Sequence, residues 1–188
     1  MLSNIKKYFL ANRFDPSMDE VSMIPDTPGN YIICLKNGSE FPTVDLTPEF
    51  FLLDNLKVIY TGIAGKSLRK RDFKQHFKGN NAGSSTLRKS LGVLMGYPLI
   101  PRDKNPDSKK TKFTLENELE LTEWMCNNLI MYFYSHEDYK KLELELIQLL
   151  NPPLNLKDNH HLTNSAFRKS LKALRSSQTV LISNKPVK

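Results

Sequence analysis

The chain has 188 residues, 39% of them hydrophobic, and a formal net charge of +7, with a pI near 9.3. That length suits one domain with appendages, the apolar content is enough for a core, and no apolar run is long enough to cross a membrane. Two cysteines far apart, Cys34 and Cys126, exclude a disulfide framework and a metal-ligand spacing, and the N-terminus lacks a signal-peptide apolar region, so a soluble protein of the cytoplasm is expected.

In chain order, residues 2–12 predict a short helix with Ile5, Tyr8 and Phe9 on one side. Asp26, Pro28 and Gly29 make a turn before a buried strand over 30–36, in which Cys34 is a small core residue. Asn37-Gly38 breaks that strand, and 40–56 reads as irregular, an insertion before a second strand over 57–61. Ser67 is a candidate N-cap for a helix over 68–77. Residues 79–83 form a turn, and Ser84 or Ser85 caps a helix that runs to Met95 and ends at Gly96 and Pro98. Residues 101–110 read as an exposed polar loop. A helix over 115–127 is expected to place Leu119, Leu121 and Trp124 near one face, followed by a strand over 129–134. An amphipathic helix over 137–150, with Leu142, Leu146 and Leu149 toward the core, stops at Asn151-Pro152-Pro153, and a basic helix over 165–175 follows. Three strands are too few for a doubly wound sheet. The expected class is α/β of the α+β kind, a small, mainly antiparallel three-stranded sheet flanked by helices.

Charge is unevenly distributed. Lys57 to Lys89 holds nine Lys or Arg against one acid, Asp72, whereas Phe113 to Leu150 holds eight acids and two lysines. A basic block neutralises phosphates and an acidic block holds a divalent cation, although either can be a solvated helix face. Within the basic block, Gly83-Ser84-Ser85-Thr86-Leu87-Arg88-Lys89 joins hydroxyls and cations to a helix N-terminus, which makes Ser85, Thr86, Arg88 and Lys89 candidate phosphate contacts. His160-His161 has no further ligand at suitable spacing and reads as surface.

The remaining motifs are Gly29-Asn30-Tyr31, then Tyr60-Thr61-Gly62 leading into Lys66-Ser67-Leu68-Arg69-Lys70-Arg71, and, much later, Glu143 on a helix before Asn151-Pro152-Pro153-Leu154-Asn155. This series over residues 28–156 resembles the GIY-YIG nucleases, a family with repair, restriction and homing members. Asn30 and Thr61 stand where the family's motifs have isoleucine. The resemblance implies a metal-dependent DNA endonuclease. Tyr60 would act as general base or orient the attacking water, with Tyr31 supporting the site. Arg71 would meet the scissile phosphate, with Arg69 as runner-up. His76 would join the site although it lies five residues beyond Arg71, where several members place a histidine or tyrosine four beyond. Glu143 would hold Mg2+ or Mn2+, Glu145 pointing elsewhere, and Asn155 would tie its loop to the site wall. A tyrosine ionises near pH ~10, so Tyr60 would need cations, expected from Lys66 and Arg71. Lys66, Arg69 and Lys70 join the candidate DNA contacts. The implied organisation is an N-terminal helical extension over 1–27, a nuclease domain over 28–158 and a basic helix and tail over 159–188. A double-strand break would require a homodimer or two visits. The rival readings are a catalytically silent nucleic-acid-binding module of the same fold and a small protein whose basic patch meets a protein partner.

Overall fold

The computed structural model describes residues 2–43, 46–78, 83–105 and 110–176. The expected turn at 79–82 and the ends of the 101–110 loop and C-terminal tail at 106–109 and 177–188 lie outside them. The elements in chain order are α1 (Leu2–Leu10), β1 (Arg13–Phe14), a 3-10 turn (Val21–Met23), β2 (Gly29–Leu35), β3 (Leu52–Leu53), β4 (Leu56–Ala64), a π-helix (Arg69–Phe77), α2 (Thr86–Leu94), β5 (Ile100–Pro101), β6 (Thr111–Lys112), α3 (Leu115–Asn128), β7 (Leu129–Ser135), α4 (Tyr139–Leu150) and α5 (Ser165–Ser176).

The α+β class holds, and the main sheet has five strands rather than three, in the order β1-β7-β2-β4-β3, with antiparallel pairing throughout. The three long strands are the expected ones. The additions are two-residue edge strands, too short to carry a hydrophobic period. The supposedly irregular stretch before β4 closes as a β3–β4 hairpin, with Asp54 and Asn55 at φ 52° and 62°, the left-handed pair that a tight hairpin turn requires. A separate β5–β6 pair brackets the expected polar loop.

Strand β2 lies at the centre, paired on both sides and buried at all seven positions. Helices cover both sheet faces, which explains its continuous rather than alternating apolar run. On one face Ile32, Cys34, Val58, Ile130 and Tyr132 pack against Phe9 of α1 and Leu142, Leu146 and Leu150 of α4. On the other, Tyr31, Ile33, Tyr60, Met131 and Phe133 share a core with Leu68, Phe77, Leu87, Leu91, Leu121 and Met125. Phe167 and Leu171 of α5 belong to that second core. Burying them is worth roughly 1.5–3 kcal/mol each, so the basic helix is an integral part of the body.

Helix α3 differs from expectation. Leu121 and Met125 are buried, but Leu119 is 60% exposed, because two residues along a helix turn about 200°. The third member of the buried stripe is Glu118, an acid where periodicity alone would place a hydrophobe.

Candidate active site

The Tyr31 ring lies over Gly62, directly opposite on β4. Any β-carbon at Gly62 would strike the Tyr31 hydroxyl, so the third position of Tyr60-Thr61-Gly62 is small for a steric reason. That hydroxyl is 2.8 Å from His76 Nε2, and His76 Nδ1 is 2.7 Å from Ser85 Oγ. The chain Tyr31–His76–Ser85 is wholly internal, with exposures of 0%, 0% and 1%. Burial, then the positive charges of Arg71 and Arg88, push the imidazole pKa down to about 3. The ring is therefore neutral at physiological pH, with one nitrogen donating and the other accepting.

The π-helix supplies His76. Ser67 caps its start, accepting from the Lys70 N–H at 3.0 Å. The wider winding takes in one more residue per turn than an α-helix, which gives a structural account of the five-residue interval between Arg71 and His76.

Tyr60 sits beside the same pair, its ring centre 6.2 Å from that of Tyr31 and 6.3 Å from that of His76. Beyond the short β3 pairing, the outer edge of β4 is covered by the loop after α4. Leu154 N–H donates to the Ile59 carbonyl at 3.1 Å. Asn155 clasps Thr61 on both sides, accepting from its N–H at 2.9 Å and donating to its carbonyl at 2.8 Å. One amide side chain thus satisfies two backbone groups that would otherwise be stranded at a buried edge.

Arg71 lies on the π-helix, which packs on the Tyr31 and Tyr60 face of the sheet, and Glu143 on α4, which packs on the other. Glu143 is half-buried on α4, and its carboxyl pKa is raised, first by burial and then by the negative charge of Asp158, against the opposing charges of Lys157 and Arg71. Arg71 thus acts electrostatically on both Glu143 and His76. Its guanidinium also donates to Gln75 Oε1. Asn30 ties the first turn of α4 to β2, donating to the Tyr139 carbonyl at 2.8 Å, so the residue that replaces isoleucine in the motif anchors the helix bearing Glu143. No cluster of three or more His, Cys, Asp or Glu forms among the described residues. Glu143 with Asp158 still suits a hard divalent ion that keeps its waters and uses one or two carboxylates. Burial and the neighbouring carboxylate disfavour the charge of Glu143, and a bound divalent ion would relieve this.

Several candidate nucleic-acid contacts are placed differently from expectation. Arg88 is 0% exposed. Its Nε and Nη2 donate to Glu118 Oε2 at 3.0 and 2.6 Å, its Nη2 to the Glu118 carbonyl at 2.8 Å and its Nη1 to the His76 carbonyl at 2.8 Å. No phosphate can reach it. Ser85 is equally buried, held between His76 and the Arg88 N–H that it caps at 3.1 Å. Arg69 is turned back onto the carbonyls of Ile24 and Ser22, at 2.7 and 3.4 Å. Thr86 and Lys89 are half-buried and Lys66 and Lys70 exposed, Lys70 lying 3.8 Å from Asp26. Glu145 is half-buried, as Glu143 is, and His160 and His161 are exposed as expected.

Two residues beside the site were not singled out from the sequence. Asp158 acts on Glu143 through its negative charge and pairs with Lys157 at 3.7 Å, with no sequence signal to announce it. Arg175, in the last turn of α5, is close enough to Tyr60 for their charges to interact. A signal for Arg175 exists, since Arg168, Leu171 and Arg175 share one helical stripe and Arg168 and Leu171 are buried. A cation on the buried side of an amphipathic helix implies a specific task.

The sequence profile of the family described as the GIY-YIG catalytic domain matches residues 29–177, which takes in α5. No curated protein and no solved structure matches the chain. No helix among the described residues is long and apolar enough to cross a membrane. With the greater part of its length under that match, and with Tyr31, Tyr60, Arg71, His76, Glu143 and Asn155 gathered about one sheet, the chain belongs to the GIY-YIG nuclease family.

Proposed function

We propose that the protein is a divalent-metal-dependent DNA endonuclease that hydrolyses phosphodiester bonds with these residues. The observation that carries this reading is the buried Tyr31–His76–Ser85 chain with Tyr60 against it. A neutral imidazole on the Tyr31 hydroxyl gives that hydroxyl a defined hydrogen-bond direction. Tyr60 orients the attacking water and, as its phenolate, takes the proton as the new P–O bond forms and the leaving oxygen departs with the electron pair of the broken bond. Arg71 meets the charge on the non-bridging oxygens with fixed, permanently charged donors. Glu143, helped by the negative charge of Asp158, would hold the cation, Mg2+ or Mn2+, which would polarise the phosphate and ease the leaving oxygen. Asn155 keeps β4 in register beneath Tyr60. The two unpaired thiols suit the reducing cytoplasm. One such site cuts one strand, so a double-strand break takes two copies or two encounters.

The test is incubation with plasmid and with single-stranded DNA, in Mg2+ and in EDTA, beside Tyr60→Phe and Glu143→Gln. Cleavage is expected with Mg2+ in the parent only. DNA binding with no turnover under any divalent ion would leave the silent binding module, and the absence of both binding and turnover would overturn the nuclease reading.

A further inference from the structure

Arg175, whose charge interacts with that of Tyr60, and Lys89 stand on two packed helices, and among the described residues no carboxylate pairs with either. Lys89 lies in the first turn of α2 and Arg175 in the last turn of α5, and the helices pack through Leu87, Leu91, Phe167 and Leu171. Arg175 Nη1 reaches Ser90 Oγ at 3.4 Å, a long bond for a group that carries five donors. Lys89 and Arg175 are both half-buried, and among the described residues neither forms a salt bridge. Burial disfavours the charge on each, and the charge of Arg175 disfavours that of Lys89 further. Two like charges partly stripped of water repel without compensation, and an anion between them would relieve both penalties.

We propose that Lys89 and Arg175 form a second phosphate site, which holds a phosphodiester of the substrate strand next to the one cleaved at Tyr60. This rests on the nuclease reading. The guanidinium fork and the ammonium would share non-bridging oxygens, as cationic donors do for phosphate. The pair would fix the path of the strand past Tyr60, and the basic C-terminal helix would become part of substrate positioning.

The test uses oligonucleotide substrates carrying one neutral methylphosphonate at successive positions around the cleaved bond. Affinity is measured in EDTA and cleavage in Mg2+, for the parent, Lys89→Gln, Arg175→Gln and Arg175→Lys. In the parent, one flanking position should cost roughly 10-fold in affinity. In Arg175→Gln that loss should already be present on unmodified DNA, with the methylphosphonate adding nothing. The slope of log affinity against log salt should fall by about one. Arg175→Lys should keep the slope, and Arg175→Gln should hold or raise the melting temperature, because it removes repulsion. An unchanged methylphosphonate pattern in Arg175→Gln, or a clear loss of stability with no change in binding, overturns the site while leaving the nuclease reading intact. Failure of the parent to bind DNA overturns both.

Discussion

Arg88 and Lys89 are adjacent on one helix, share one basic block and have opposite surroundings. Arg88 turns inward to Glu118 on α3 and to the His76 carbonyl, and nothing of it meets solvent. Lys89, a hundred or so degrees around the helix, lies by Arg175 with no counter-charge among the described residues. The inner knot of Arg88, Glu118, His76 and Ser85 is satisfied and holds the site in shape. Arg71, Lys89 and Arg175, the outer rim, form no salt bridge among the described residues, and they are the charges the proposed reading assigns to the substrate. A positive charge in a sequence becomes scaffold or binding group according to whether a neighbouring element covers it and brings a partner.

Breaking the knot should have the largest effect. Arg88→Ala strips the buried Glu118 carboxylate of its arginine, and loss of one partner of a buried pair costs about 3–5 kcal/mol. Urea unfolding should show that loss, and a change under ~1 kcal/mol would mean Arg88 is not the keystone. The rim should respond in activity instead. Glu143→Gln should reduce cleavage by ~10²-fold or more, while stability at neutral pH holds or rises, because burial already disfavours its charge. Unfolding midpoints beside cleavage rates separate the two kinds of loss.

A pH titration of stability sharpens the same contrast. Native His76 stays neutral down to about pH 3, whereas in the unfolded chain it protonates near pH ~6.5. Between those values the unfolded state binds the extra proton, so stability falls as pH falls, by up to about 1.4 kcal/mol per pH unit. His76→Gln should flatten that limb, and a parent stability with no acid slope below pH ~6 would contradict the buried neutral imidazole.

Smaller effects are expected at the margins. Asn155→Ala strands the Thr61 N–H and carbonyl and should cost about 1–3 kcal/mol, seen as a lower melting temperature. Lys66→Gln, at an exposed turn, should leave stability unchanged and weaken DNA binding a few-fold, with the salt slope lower by about one. No change in slope would place Lys66 off the path of the DNA.

The long strands and most helices were legible because their signals are local. The apolar run of β2, the helix-capping positions of Ser67 and Ser85, and the stop at Asn151-Pro152-Pro153 each act within a few residues. The motif residues were legible too, and the Tyr31–His76 bond and the Asn155 clasp show what two of them do locally. Edge strands β1 and β3 were not legible, since two residues carry no period. The face of α3 was misjudged because Glu118 occupies a core position that only its distant partner justifies.

By itself, the sequence determined the class of fold, the order of its main elements and the family to which it belongs. Those follow from periodicity, caps and motif spacing, which are properties of neighbouring residues. The tertiary structure alone decided which charges are buried in pairs and which have no counter-charge among the described residues. Arg88 finds Glu118 across 30 positions and Arg175 reaches Ser90 across 85. Burial and partnership over such separations depend on how helices pack around the sheet, and no local pattern encodes them.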